Sequence, residues 1–167
     1  PSSGSSSRAS GWTCKRCGSC ATGSARPGAA RRDRDTGGGS RGIGKALAEG
    51  LASFGADVAI IVESTVERAE KVAAEIRAIG RDAFVIKADV SNENDTQRIA
   101  VECIERWGRI DILINNAGII RPSPLEDGTL EDWRKTMAVN LDGVFLMCRA
   151  VGRQMIKQKA GNIINIG

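Results

Sequence analysis

A chain of 167 residues is long enough to build one core-forming domain and short for two. Its 41% apolar content is that of an ordinary globular protein, and its longest apolar runs, such as Val58–Val62, fall far short of the roughly 20 residues a bilayer-spanning helix needs, so no membrane segment is expected. The net charge of +4 divides unevenly: residues 1–35 hold seven Lys/Arg against two Asp/Glu and residues 36–167 hold 17 against 18, which argues against nucleic-acid binding by the body of the chain.

Residues 1–35 contain no Ile, Leu, Val, Phe or Met and have little with which to offset the entropy of ordering, so they are expected to form a disordered basic tail ahead of a domain over 36–167. The serine-rich start lacks the apolar centre of a secretory signal, and the expected location is cytoplasmic. Cys14, Cys17 and Cys20 have the spacing of thiolate ligands but lack a fourth, so no metal site is expected. The absence of histidine removes the commonest general base, and the absence of tyrosine removes the phenol.

From Gly42 onward the pattern becomes regular. Ile43, Leu47, Leu51 and Ala52 recur at helical spacing, and Asp57–Val62 is an apolar run suited to a strand buried on both faces. Val66, Ala69, Val72, Ala73 and Ile76 predict a second helix closed by Gly80, and Ala83–Ile86 the next strand. Ser91 is the expected cap of a third helix through Ile99, Cys103, Ile104 and Trp107, closed by Gly108; Ile110–Ile114 is a further strand. Cys103 and Cys148 fall at apolar helix positions and are expected to be small buried hydrophobes. Thr129 to Asp132 has the form of a capping box before a long helical pattern through Trp133, Met137, Leu141, Val144, Phe145, Cys148, Val151 and Met155, and Ile163–Ile166 predicts a last strand. This alternation predicts an α/β fold with a doubly wound parallel sheet, whose ligands sit at the carboxyl ends of the strands.

Two glycine registers offer a phosphate-binding loop, Gly37-x-Gly39-x-x-Gly42 and Gly38-x-x-x-Gly42-x-Gly44. In either, glycines let the backbone approach a pyrophosphate while amides at the start of the following helix donate to it. Ala88-Asp89-Val90 and Asn115-Asn116-Ala117-Gly118 each follow a buried strand and are placed at the same crevice.

With these motifs in order, residues 36–167 resemble the short-chain dehydrogenase/reductase family, whose pattern is TGxxxGxG, an Asp after the third strand, NNAG after the fourth and an Asn in the long helix that follows. The resemblance implies a Rossmann domain that binds NAD(P) and transfers hydride to or from a hydroxyl or carbonyl of a small-molecule substrate. It implies that Gly38, Gly42 and Gly44, with Ser40 and Ile43 in the same loop, hold the pyrophosphate; that Asp89, with Val90, receives the adenine; that Asn116, Ala117 and Gly118 line the nicotinamide ribose; and that Asn140 is the catalytic-set asparagine organising a proton relay. Arg41 would suit the 2′-phosphate of NADP and Glu63 the free ribose hydroxyls of NAD, which leaves the cofactor as NAD(P). The stretch Asn115–Gln158 is similar to the gluconate 5-dehydrogenase and 2-deoxygluconate 3-dehydrogenase branch, implying a sugar acid, and the family implies homo-oligomers packed through the long helix.

Two departures from the family pattern stand out. Arg31–Asp35, directly before the loop, is not a buried strand, so the first strand is expected to be missing and the fold strained. The family's catalytic Ser and Tyr-x-x-x-Lys would follow the last strand, and the sequence given ends at Gly167, so it is expected to be an inactive fragment. The alternatives are a non-catalytic nucleotide-binding module, and metal or nucleic-acid binding through the Cys/Arg tail.

Overall fold

The structure, a computed structural model, describes residues 17–20, 42–120 and 124–166. Five parallel strands form one sheet in the order β3-β2-β1-β4-β5, with β1 at Cys17–Cys20, β2 at Val58–Val62, β3 at Ala83–Lys87, β4 at Ile112–Asn115 and β5 at Asn162–Asn165. The helices are α1 (Gly42–Ser53), α2 (Val66–Ala78), α3 (Glu93–Trp107), α4 (Leu130–Met137) and α5 (Gly143–Gln158).

The sheet is covered on both faces, and β2 shows why its sequence is apolar throughout. Val58, Ile60 and Val62 pack with Ala48 and Ala52 of α1 and Val72 and Ile76 of α2. Ala59 and Ile61 point the other way, into a core with Trp107 of α3 and Met147, Val151 and Met155 of α5. This is the doubly wound parallel architecture expected from the alternation of elements.

The expectation of a missing first strand is corrected. Cys17–Cys20 occupies the central slot, pairing with β2 from Cys17↔Val58 to Cys20↔Ile61 and with β4 at Gly18↔Leu113 and Ser19↔Ile114. The physical reason lies in charge. Cys-Gly-Ser-Cys contains no Asp, Glu, Lys or Arg, and a central strand's backbone can be paired on both sides. Ala29–Asp35 would have brought five charges, each costing on the order of several kcal/mol unless paired. A disordered tail over all of residues 1–35 is corrected to the same extent; the rest of that tail lies outside the described residues, as do Thr36 to Arg41.

Local corrections are smaller. The cap of α3 is Asn92, whose side chain accepts from the amides of Asn94 and Asp95, while Ser91 turns to Asp89. Thr129 caps α4 as expected, its Oγ accepting from Asp132 N at 3.0 Å. The long helical pattern is broken by a π turn at Ala138–Asp142 between α4 and α5, a feature that side-chain periodicity does not reveal. Cys103 is buried as expected, and desolvation pushes its thiol up to about 12; Cys148 is only half-buried.

Candidate functional site

Because all strands are parallel, the turns after β2, β3 and β4 emerge at one edge of the sheet. The start of α1 lies in the same α/β layer, with Gly42 in a left-handed conformation (φ 54°) that glycine adopts without strain. Gly42 and Ile43 are exposed and Gly44 is buried. Gly38, Ser40 and Arg41 lie outside the described residues.

The turn after β3 is the most firmly held. Asp89 Oδ1 accepts from Ser91 N at 2.8 Å and from Ser91 Oγ at 2.7 Å. The Asp89 amide donates to Asp95 Oδ2 at 2.8 Å, from the first turn of α3. That bond, followed by the Arg98 guanidinium, holds the Asp95 carboxyl below its ordinary range. Arg98 Nη2 in turn donates to Asp95 Oδ1 and to Lys87 O, both at 2.8 Å. Asp89 is thus half-buried on a turn whose backbone is tethered to a helix, a placement that can present a carboxylate to a ligand's amino group.

Val90 is buried and touches α5. A Cβ built on Gly143 would stand 3.1 Å from Val90 Cγ2 and 3.2 Å from Val90 O, so a larger residue there would need the two segments to shift by a few tenths of an ångström. Val90, Asn115, Ala117, Val139, Gly143, Val144 and Met147 line a small open cleft of about 10 Å³.

β4 ends at Asn115, and the turn after it carries Asn116 to Gly118. Asn115 is buried, and its Nδ2 donates to Asn165 Oδ1 at 2.9 Å and to Cys148 Sγ at 3.3 Å, joining β4 to β5 and α5. Asn116 is buried beside it, with Ala117 and Gly118 half-buried. Asn140, on the π turn, grips the following residue at two points: Oδ1 accepts from Ile119 N at 2.8 Å and Nδ2 donates to Ile119 O at 2.9 Å. A Cβ on Gly118 would meet Asn140 Oδ1 at 3.4 Å, an ordinary contact.

The structure therefore brings Asp89 and Val90 together with Asn116, Ala117, Gly118 and Asn140 on one edge of the sheet. Glu63 sits exposed on the turn after β2 at the same edge. Both amide atoms of Asn140 engage the backbone of Ile119, which ties its side chain to that segment. Sequence reasoning missed Asp95, Arg98, Ile119 and Gly143. A glycine inside a helical pattern was a signal for Gly143; nothing in the spacing of Asp95 from Asp89 marked the bond between them.

The donor set fits a dinucleotide: a glycine start to α1, a held carboxylate after β3 and an amide-rich turn after β4. Among the described residues no group of His, Cys, Asp or Glu is placed to hold a metal ion, and no helix is long and apolar enough to cross a membrane.

Comparison with known proteins agrees with this geometry. The family described as short chain dehydrogenase matches residues 36–167. A 3-oxoacyl-[acyl-carrier-protein] reductase of Synechocystis sp. is 43% identical over 129 residues, covering 77% of this chain and 52% of that protein. The reductase FabG of Staphylococcus aureus, with the same description, is 38% identical over 77% of this chain and 52% of its own length. The chain thus spans about half the length of these curated relatives. A short-chain dehydrogenase from Burkholderia cenocepacia, solved in complex with NADP, superposes with a TM-score of 0.75 at 36% identity, covering 91% of this chain and 55% of that one. By motif order, fold and sequence match, the chain belongs to the short-chain dehydrogenase/reductase family of oxidoreductases.

Proposed function

We propose that the chain binds NAD(P) across the carboxyl edge of its sheet and forms the cofactor-binding part of an enzyme that transfers hydride between that cofactor and a carbonyl or hydroxyl substrate. The observation that carries this reading is the two-point grip of Asn140 on Ile119, which brings the last of the four motifs onto the loop of the third. When bound, a nicotinamide supplies or accepts the hydride.

In this reading Asp89 receives the adenine, with Ser91 orienting the carboxylate and Asp95 fixing the backbone beneath it. Asn116, Ala117 and Gly118 border the nicotinamide ribose, and Asn140 keeps that border in place. Gly38, Gly42 and Gly44, with Ser40 and Ile43, cradle the pyrophosphate. Arg41 suits a 2′-phosphate and Glu63 free ribose hydroxyls; the NADP-bound Burkholderia cenocepacia structure favours NADPH as the first probe.

For the substrate, the names of the 43%- and 38%-identical relatives favour a 3-oxoacyl thioester, with a sugar acid as the comparison suggested by Asn115–Gln158. The sequence contains no tyrosine, so the family's phenol is not among these residues, and the 167-residue chain by itself binds nucleotide without turnover. Self-association is supported by large apolar side chains left exposed along α4, the π turn and α5: Leu130, Trp133, Leu141, Phe145 and Ile156.

The test is titration of the purified chain with NADPH and NADH, followed by nicotinamide fluorescence, and an assay with acetoacetyl thioester and 5-ketogluconate. Saturable binding lost in Asp89→Ala is the expected result. Failure to bind either nucleotide overturns the reading, and steady turnover of either substrate overturns the inactivity of this chain.

A further inference from the structure

We propose that Gly143 is a positioning residue that links the Asp89–Val90 turn to the Asn140–Ile119 clamp, so that the two ends of the site keep their shape together; its effect on affinity rests on the nucleotide reading above. Gly143 stands where the π turn meets α5. Its N–H donates to Ala138 O, closing the turn that carries Asn140. Its other side rests on Val90, where a Cβ would lie 3.1 Å from Cγ2 and 3.2 Å from the carbonyl oxygen.

Val90 is poorly placed to yield. It is buried, and the preceding residue is tethered to α3 through the Asp89 amide and Asp95. An added methyl at position 143 would therefore move the start of α5 rather than the Val90 turn, since a close-packed interior transmits strain. Asn140, three residues earlier, would move with it. Ile119 belongs to the segment that leaves β4 and not to α5, so a shift of α5 is carried to it only through the 2.8 and 2.9 Å bonds to Asn140, which would be strained. Gly152, on the same helix, provides the control: a Cβ there meets nothing within 4 Å.

The experiment compares Gly143→Ala with Gly152→Ala in the 167-residue chain. Amide hydrogen exchange is followed at Ile119 and in the middle of β2, and NADPH is titrated in parallel. In Gly143→Ala, exchange at Ile119 is expected to rise about tenfold and NADPH affinity to fall about tenfold, the effect of mild overpacking. Amides of β2 should exchange as before in both variants, which separates positioning from a general loss of stability. Unchanged exchange at Ile119 in a folded Gly143→Ala protein overturns the proposal, as does undiminished NADPH affinity where the parent chain binds. A parent chain that binds no nucleotide defeats the functional reading, while the exchange result still decides the link. Should Gly143→Ala fail to fold, Val90→Ala replaces it, removing the Cγ2 on which Gly143 rests; faster exchange at Ile119 supports the link and unchanged exchange overturns it.

Discussion

Replacing Asp82 tests how α3, which anchors the Asp89 turn, is held to the sheet. Asp82 accepts from Arg106 Nε at 2.7 Å and Nη2 at 2.6 Å, and from the Trp107 indole Nε1 at 2.8 Å. Phe84 packs edge-on against Trp107 with centroids 5.1 Å apart, and the Arg106 guanidinium stacks 4.8 Å above Phe84. The Arg106 hydrogen bonds hold the Asp82 carboxyl down, at about 2 against an ordinary 3.8, with the indole bond adding to the effect and desolvation opposing it. For a fully buried pair that difference would be worth about 2 kcal/mol. With the carboxylate side chain 37% exposed, screening reduces it to about 1 kcal/mol. A carboxyl whose folded value is depressed stabilises above its unfolded value and loses that contribution as pH falls through its folded one, so the window runs from about 3.8 down to about 2. Asp82→Asn should therefore be about 1 kcal/mol less stable than the parent at pH 7, with the gap closing toward pH 2. Asp82→Ala should lose about 1–3 kcal/mol more, because the indole N–H of the buried Trp107 is orphaned. Urea unfolding followed by circular dichroism at pH 7, 4 and 2.5 measures both. A gap between Asp82→Asn and parent that stays constant across these pH values would refute the assignment.

Three further outcomes are expected. Asn140→Ala should cost about 1 kcal/mol of stability, since the Ile119 groups it leaves can reach water, yet weaken NADPH binding measurably; calorimetric titration beside a thermal melt separates the two. Asp95→Asn replaces a charged acceptor of the Asp89 amide with a neutral one and should speed exchange of that amide; because the Asp95 carboxyl is held low, the parent should lose the same protection as pH falls below the ordinary carboxylate range, and the variant should not. Cys103, buried with its thiol pushed up to about 12, should stay unmodified by iodoacetamide at pH 8 while the half-buried Cys148 reacts, as peptide mass mapping would show.

Much of this architecture was legible in the residues because periodicity and burial coincide. Val58–Val62 is apolar at every position since both faces of β2 are covered, and Val66 to Ile76 carries its apolar residues at helical spacing over the same core. The central strand was not legible. Cys-Gly-Ser-Cys has neither branched apolar side chains nor alternation, and its place is set by long-range pairing with β2 and β4 rather than by local preference. The site divides in the same way. Asp89, Asn116, Ala117, Gly118 and Asn140 belong to motifs and could be named; Asp95 and Ile119 enter only because folding brings a side chain to a backbone group. The π turn lies between these cases: the apolar pattern runs on through Trp133, Leu141 and Phe145, yet these side chains are exposed while Met147, Val151 and Met155 are buried, so the pattern alone did not mark the change of face.

The narrow attachment of β1 has a bearing on how the sheet assembles. β2 and β3 lie close in sequence and pair over five positions, whereas β1 meets β4 at two, across some 95 residues of chain. Contacts between such distant partners carry the larger loop-closure cost, so the β2–β3 unit with α2 is the cheaper part to form and the joining of the two halves through β1 the costlier one. The crevice at the carboxyl edge spans that same seam. A ligand that bridges the turns after β3 and β4 would bind only the joined form and would therefore draw that joining toward completion.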